Sequence, residues 1–189
     1  MNREVDNKTL LDKFVINFVN IIDKSVRYII VSGFVAIAHG RARGTEDVDV
    51  IIERINKQKF VLLHNKLEKA NFECMQSDDP NIIFDDYLNT NLSVRYIKKN
   101  NPIPEIELKF AKDSLDNYQL KTRKKLPLTG LNLYFSSIEM NIAFKEELLK
   151  SEKDMEDAKH LRIVYADKLD ESEINKIKKE IKRLRLDER

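Results

Sequence analysis

One stretch, Tyr28 to Ile52 (Y-I-I-V-S-G-F-V-A-I-A-H-G-R-A-R-G-T-E-D-V-D-V-I-I), leaves this chain few ways to fold. An apolar run, Tyr28 to Val31, breaks at Ser32-Gly33 into the small-residue segment Phe34 to Ala38, and a second apolar run follows, headed by two aspartates. The pattern predicts strand, turn, short helix, loop and strand. Alternate residues of a strand share a face, so Asp47 and Asp49 point one way while Val48, Val50 and Ile52 point into a core. Two carboxylates aimed at one spot repel each other, and a hard divalent cation such as Mg²⁺, which favours oxygen ligands, relieves that repulsion. The preceding loop carries Arg41 and Arg43, whose forked guanidinium groups match phosphate oxygens; pairing with a nearby acid such as Glu46 is the alternative.

The remainder predicts an α/β protein. Apolar pairs spaced about four residues apart make Thr9 to Ile22 an amphipathic helix, and Phe60, Leu63, Leu67 and Ala70 put a second on Asn56 to Ala70. Phe72 to Pro80 is ambiguous. Asn91 to Ile97 reads as a strand. After a loop marked by Asn100, Asn101, Pro102 and Pro104, Ile106, Leu108 and Phe110 alternate with Glu105, Glu107 and Lys109 in an amphipathic strand. Lys124 to Pro127 and Asn132 to Phe135 flank Thr129-Gly130 as a small hairpin. Three helices follow: Ser137 to Lys150, Ser151 to about Ala166, and one opened by Asp170 and Ser172. The domain expectation is a core over 1–136 with a helical region over 137–189 packed on it.

At 189 residues, 42% of them hydrophobic and 35% charged, the chain can bury one sizeable core. Its formal charge of +2 is too small to draw nucleic acid by bulk electrostatics. A single cysteine, Cys74, and the lack of a long apolar run predict a soluble cytoplasmic protein. His64 and His160 have no partners at zinc spacing and read as structural or exposed, and His39 as a capping or packing residue. The basic stretch Asn175 to Arg189, with Lys176, Lys178, Lys179, Lys182, Arg183, Arg185 and Arg189, could grip RNA phosphates, but more often such a face is solvated.

Ser32-Gly33 followed by His39-Gly40-Arg41-x-Arg43-x-Thr45-x-Asp47-Val48-Asp49 resembles the signature of the nucleotidyltransferase superfamily with the DNA polymerase beta-like fold. The resemblance is closest to small prokaryotic members, many of unassigned function or paired with toxin and antitoxin systems. Ser32 stands where the first glycine is usual. A second resemblance lies in Ile138-Glu139, Lys145 and Lys153-Asp154-x-x-Asp157, similar to the helical segment that follows the sheet in these proteins.

The resemblance implies a mixed β-sheet with helices on one face, the active cleft on the other, and a helical C-terminal region closing one side. It implies Asp47, Asp49 and a third carboxylate as ligands of Mg²⁺ or Mn²⁺, with Glu107 matched to that position and Glu105 as the alternative two residues away. It also implies nucleotide contacts from Ser32, Gly33, Arg41, Arg43 and Thr45. Lys145 is either a further nucleotide contact or a helix-surface lysine. The implied activity moves a nucleoside monophosphate from a nucleoside triphosphate, ATP among them, to an acceptor that is protein, RNA or a small molecule, and leaves open whether the protein is a homodimer. Two competing expectations are a fold relative without activity that serves as a regulatory or antitoxin-like partner, and an RNA-binding module using the basic tail.

Overall fold

The computed structural model describes residues 8–187. Seven strands form one mixed sheet in the order β3-β4-β5-β2-β1-β7-β6, with β1 Tyr28–Ile30, β2 Asp47–Ile52, β3 Phe72–Cys74, β4 Val94–Lys98, β5 Asn101–Phe110, β6 Lys124–Lys125 and β7 Tyr134–Phe135. The central pair, β2 and β5, run parallel, and β1 and β4 flank them antiparallel.

Alternation along the strands separates two faces. Val48, Val50 and Ile52 on β2 lie level with Ile106, Leu108 and Phe110 on β5, and all six are buried in the main core. Helices α1 (Leu10–Ile22) and α3 (Lys57–Lys69) cover this side, contributing Phe14, Phe18, Phe60 and Leu67. Thr9 starts α1 with a capping box: its hydroxyl accepts from the Asp12 amide at 3.0 Å, and the Asp12 carboxylate accepts from the Thr9 amide at 2.8 Å. Asn56 caps α3 with a single bond, its side-chain oxygen accepting from Lys59 N–H at 2.9 Å.

The other face carries the charges. Asp47 lies level with Glu105 and Asp49 with Glu107, so the four carboxylate-bearing residues occupy two adjacent rows of one sheet surface. Further along this surface, Ile29, Ile51 and Ala111 close a small second core with Leu120 of α5 (Ser114–Lys121). α5 is missing from the expectation above. Its signal is Asp113, which caps the helix by accepting from Asp116 N–H at 2.9 Å.

Three other boundaries differ. Phe72 to Cys74 is an edge strand. The loop expected over Asn101 to Pro104 is the start of β5, where pairing with β4 shifts register between Ile97 and Lys98; prolines are tolerated at such an irregularity because the ladder needs fewer N–H donors there. A helical segment, begun by α4 (Pro80–Ile82), also runs on to Thr90, opened by an Asp79 cap on a proline-led first turn.

After β7 come α6 (Ile138–Phe144), continued by a wide π-turn over Lys145–Leu149, then α7 (Glu152–Val164) and α8 (Glu171–Ile181). α6 packs on both α7 and α8, and α7 packs on α2 (Gly33–Ala38), the short helix after the Ser32-Gly33 turn. His39 ties that last contact together. Its Nδ1–H donates to the Val35 carbonyl at 2.7 Å, and its Nε2 lies 2.8 Å from the Tyr165 hydroxyl, which donates to it in the neutral ring. Burial lowers the His39 pKa and keeps that ring neutral. Among the described residues no helix is long and apolar enough to cross a membrane.

Candidate active site

The carboxylate face of the sheet and the C-terminal helices enclose a cleft of about 420 Å³ whose lining includes Ser32, Asp49, Glu107, Asn141 and Lys145. Asp49 sits at its floor, and its pKa is pushed up to about 6. Burial is the main cause; Glu107 and Asp47 add repulsion, while Lys109 and a hydrogen bond from the Ser32 hydroxyl work against it. Lys109 Nζ stands 4.0 Å from Asp49 Oδ1, too far for a full ion pair to settle the charge. Oxygen donors crowded this way, with their repulsion uncompensated, fit a hard divalent cation. Among the described residues no group of three His, Cys, Asp or Glu side chains converges as a ready-made cage. Asp47 instead accepts from the Thr45 hydroxyl at 2.8 Å.

The two glutamates part company. Glu107 lines the cleft with Asp49, whereas Glu105 pairs with Arg95 at 3.2 Å. Burial raises the Glu105 pKa and Arg95 opposes that rise.

The turn before α2 is unusual. Ser32 adopts φ 64° and ψ −134°, a region in which glycine is at home and a side chain costs about 1–3 kcal/mol. A serine at the usual glycine position therefore keeps the glycine backbone, and its hydroxyl reaches Asp49. At Gly33, a Cβ would come 3.1 Å from Arg43 Cζ and Nη1. What approaches the Gly33 backbone here is thus the Arg43 guanidinium.

Arg41 and Arg43 do not pair with Glu46. Both close onto Asp157 of α7, Arg41 also onto Glu156, and Arg41 Nη1 donates to the Lys153 carbonyl at 3.1 Å. Lys145 joins the same carboxylate: its Nζ lies 2.8 Å from Asp157 and 3.2 Å from Asp154. Lys145 is 1% exposed and Asp157 fully buried, which removes the helix-surface alternative for Lys145. Burial lowers the Lys145 pKa, against the pull of Asp154. Three cations meeting one sealed carboxylate, with two more acids at the rim, make a compensated network that fixes the loop to α7. Arg43 Nε is sealed in it without a partner. The Lys153-Asp154-x-x-Asp157 string carried this information, but sequence reasoning did not link it to Arg41 and Arg43, 116 and 114 residues from Asp157.

Several cations of the basic tail pair with acids of the same fold. Lys178 reaches Glu146 at 2.6 Å, Arg183 reaches Glu180 at 2.6 Å, and Arg185 clasps Asp113 and Asp116 at 2.9 and 2.6 Å. Glu188 and Arg189 lie outside the described residues.

Solved structures share this architecture. The chain is similar to ANT(2'')-Ia, an antibiotic-resistance factor, in its solution structure (TM-score 0.55, 11% identity, covering 92% of this chain and 91% of that one). The crystal structure of ANT(2'')-Ia in complex with adenylyl-2''-tobramycin gives TM-score 0.54 at 12% identity, over 93% and 98%. The chain has the nucleotidyltransferase fold. An antigenic nucleotidyltransferase-like protein from Paracoccidioides brasiliensis also matches, with TM-score 0.52 and 18% identity over 95% of this chain and 91% of that one. No protein-family profile and no curated protein matches the sequence.

Proposed function

We propose that the protein is a nucleotidyltransferase that moves a nucleoside monophosphate from a nucleoside triphosphate to an acceptor hydroxyl, releasing pyrophosphate. The observation that carries this reading is the meeting of Asp49, Glu107, the glycine-type turn at Ser32 and Lys145 in one cleft. The ligand of one similar structure, adenylyl-2''-tobramycin, is an adenylylated acceptor, the product class such a reaction yields.

In this reading Asp47, Asp49 and Glu107 hold Mg²⁺ or Mn²⁺, and Glu105 stays with Arg95. The bound ion supplies charge neutralisation at the triphosphate and acidifies the acceptor hydroxyl. Ser32 lines the cleft, Gly33 beside it leaves its backbone open to the Arg43 guanidinium, and Thr45 orients Asp47. Lys145, held by Asp154 and Asp157, keeps an ammonium at the cleft wall for the anionic substrate. Arg41 and Arg43 act on the phosphates by sharing their donors with Asp157, and Arg43→Ala should weaken triphosphate affinity more than metal affinity. Residues 1–136 then carry the ligands of the ion, and residues 137–189 close the nucleotide from the other side. The acceptor is protein, RNA or a small molecule.

The test incubates the protein with each α-labelled nucleoside triphosphate, Mg²⁺ and a cell extract, beside Asp47→Asn. Label should enter an acceptor only with the native chain, and Asp47→Asn should keep its circular dichroism while losing Mn²⁺ affinity by calorimetry. No transfer from any triphosphate, with Mn²⁺ binding unchanged in Asp47→Asn, would leave a silent fold relative that acts as a binding or regulatory partner.

A further inference from the structure

The cleft wall contributed by α6 holds one polar group that the reaction above does not use. Asn141 is only 4% exposed, yet it lines the cleft. Its amide nitrogen donates twice, to the Ser136 carbonyl at 3.2 Å and to the Ser137 carbonyl at 2.8 Å. Those two bonds fix the amide's orientation, because the flipped form would set Oδ1 against two carbonyl oxygens. Both N–H donors are therefore spent. Oδ1 accepts no hydrogen bond from any described residue, and it is not among the sealed unpartnered atoms of the interior. A buried amide oxygen that is unpartnered but open to a cavity is an acceptor waiting for a donor.

Its neighbours suggest whose donor. Phe144 and Lys145 follow at i+3 and i+4, on the same helix face, and both line the same cleft. Phe144 offers an aromatic surface about one turn from Asn141, with the Arg185 guanidinium 5.0 Å from its ring centroid. The nearby amide Gln119 is already engaged, its Oε1 accepting from Ser136 Oγ at 2.7 Å and its Nε2 donating to Asp116 at 3.3 Å. A flat heterocycle stacked on an aromatic ring and read at its edge is the usual way a protein recognises an unpaired base.

We infer that Asn141 Oδ1 selects the nucleotide base, accepting a hydrogen bond from the exocyclic amino group of adenine or cytosine. This rests on the transferase reading above. The selectivity follows from the spent donors: an amino group at this edge meets an acceptor, whereas the carbonyl that guanine or uracil presents there meets another carbonyl oxygen. The mismatched base loses a hydrogen bond and leaves two acceptors facing each other, so discrimination of about 10-fold or more is expected.

The test uses ligand pairs in which that amino group is replaced by a carbonyl and the adjacent ring nitrogen gains a proton, ATP against inosine triphosphate and CTP against UTP. Affinities for the native protein are measured by calorimetry in Mg²⁺, with 2'-deoxy and 3'-deoxy ATP as sugar controls. The amino member of each pair should bind about 10-fold tighter, the deoxy analogues should bind like ATP, and Asn141→Ala should bring the ratios towards one. Phe144→Ala should weaken both members of each pair alike. Equal affinities within each pair, or a loss confined to the deoxy analogues, would overturn the inference while leaving the transferase reading intact. Failure of every triphosphate to bind would instead remove the reading beneath it.

Discussion

Strands β2 and β5 build both faces of the sheet from alternate residues, yet the two faces have opposite electrostatic fates. On one, Val48, Val50, Ile106 and Leu108 are fully buried under α1 and α3. On the other, Asp47, Asp49, Glu105 and Glu107 stand in adjacent rows, and Asp49 and Glu107 line an open cleft. A fold seeking stability alone would have paired the second face or made it apolar. This chain does pair its charges where they are sealed: Asp157 has Arg41, Arg43 and Lys145. Asp49 has Lys109 Nζ no nearer than 4.0 Å, and its pKa, raised mainly by burial, records the difference. The contrast separates charge that holds the fold together from charge that the fold carries at a cost.

The sharpest way to break this comparison is to exchange the faces' chemistry. Val50→Asp puts an unpaired carboxylate in the sealed core, at a cost of several kcal/mol against a typical total of about 5–15 kcal/mol, and should leave the protein largely unfolded. Asp49→Asn, one residue away, should keep the native circular dichroism and melt no lower than the native chain. Similar melting of the two variants would erase the distinction between the faces.

Next comes the sealed network. Asp157→Asn removes the carboxylate that three cations share and should destabilise by about 3–5 kcal/mol in urea unfolding. Adding Lys145→Met should recover part of that loss, because it withdraws one of the stranded cations. A double variant no more stable than Asp157→Asn would show that Lys145 draws its stability from elsewhere.

A smaller effect is expected at the turn. Ser32→Gly relieves the positive-φ strain and should raise stability by about 1 kcal/mol, with Gly's greater unfolded-chain entropy offsetting part of the gain. A thermal midpoint at or below that of the native chain would mean that the Ser32 hydroxyl's bond to Asp49 outweighs the strain.

The mildest test is pH. His39 has its pKa lowered on folding by burial, beside His160 and the Tyr165 hydroxyl, so the unfolded chain binds its proton first. Its contribution is present above the ordinary value of 6.5 and is lost as pH falls from there towards the folded pKa. The drop in midpoint between pH 7.5 and 5.5 should shrink in His39→Gln; an unchanged drop would place the dependence on other groups.

The sequence by itself determined the strand-turn-helix-strand unit from Tyr28 to Ile52, the register-independent fact that Asp47 and Asp49 share a face, and most helix starts, because each depends on periods of two or 3.6 residues or on a cap within a turn of it. The family resemblance matched a third carboxylate to Glu107 with Glu105 as the alternative, and strand period alone could not separate the two, since both have the same parity on β5. Only the tertiary structure set Glu107 beside Asp49 in the cleft and gave Glu105 to Arg95. The burial of Lys145, the closing of Arg41 and Arg43 onto Asp157, and the open oxygen of Asn141 likewise depend on which helix meets which strand across a hundred residues. Local periodicity fixes which way a side chain points, but not what stands opposite it.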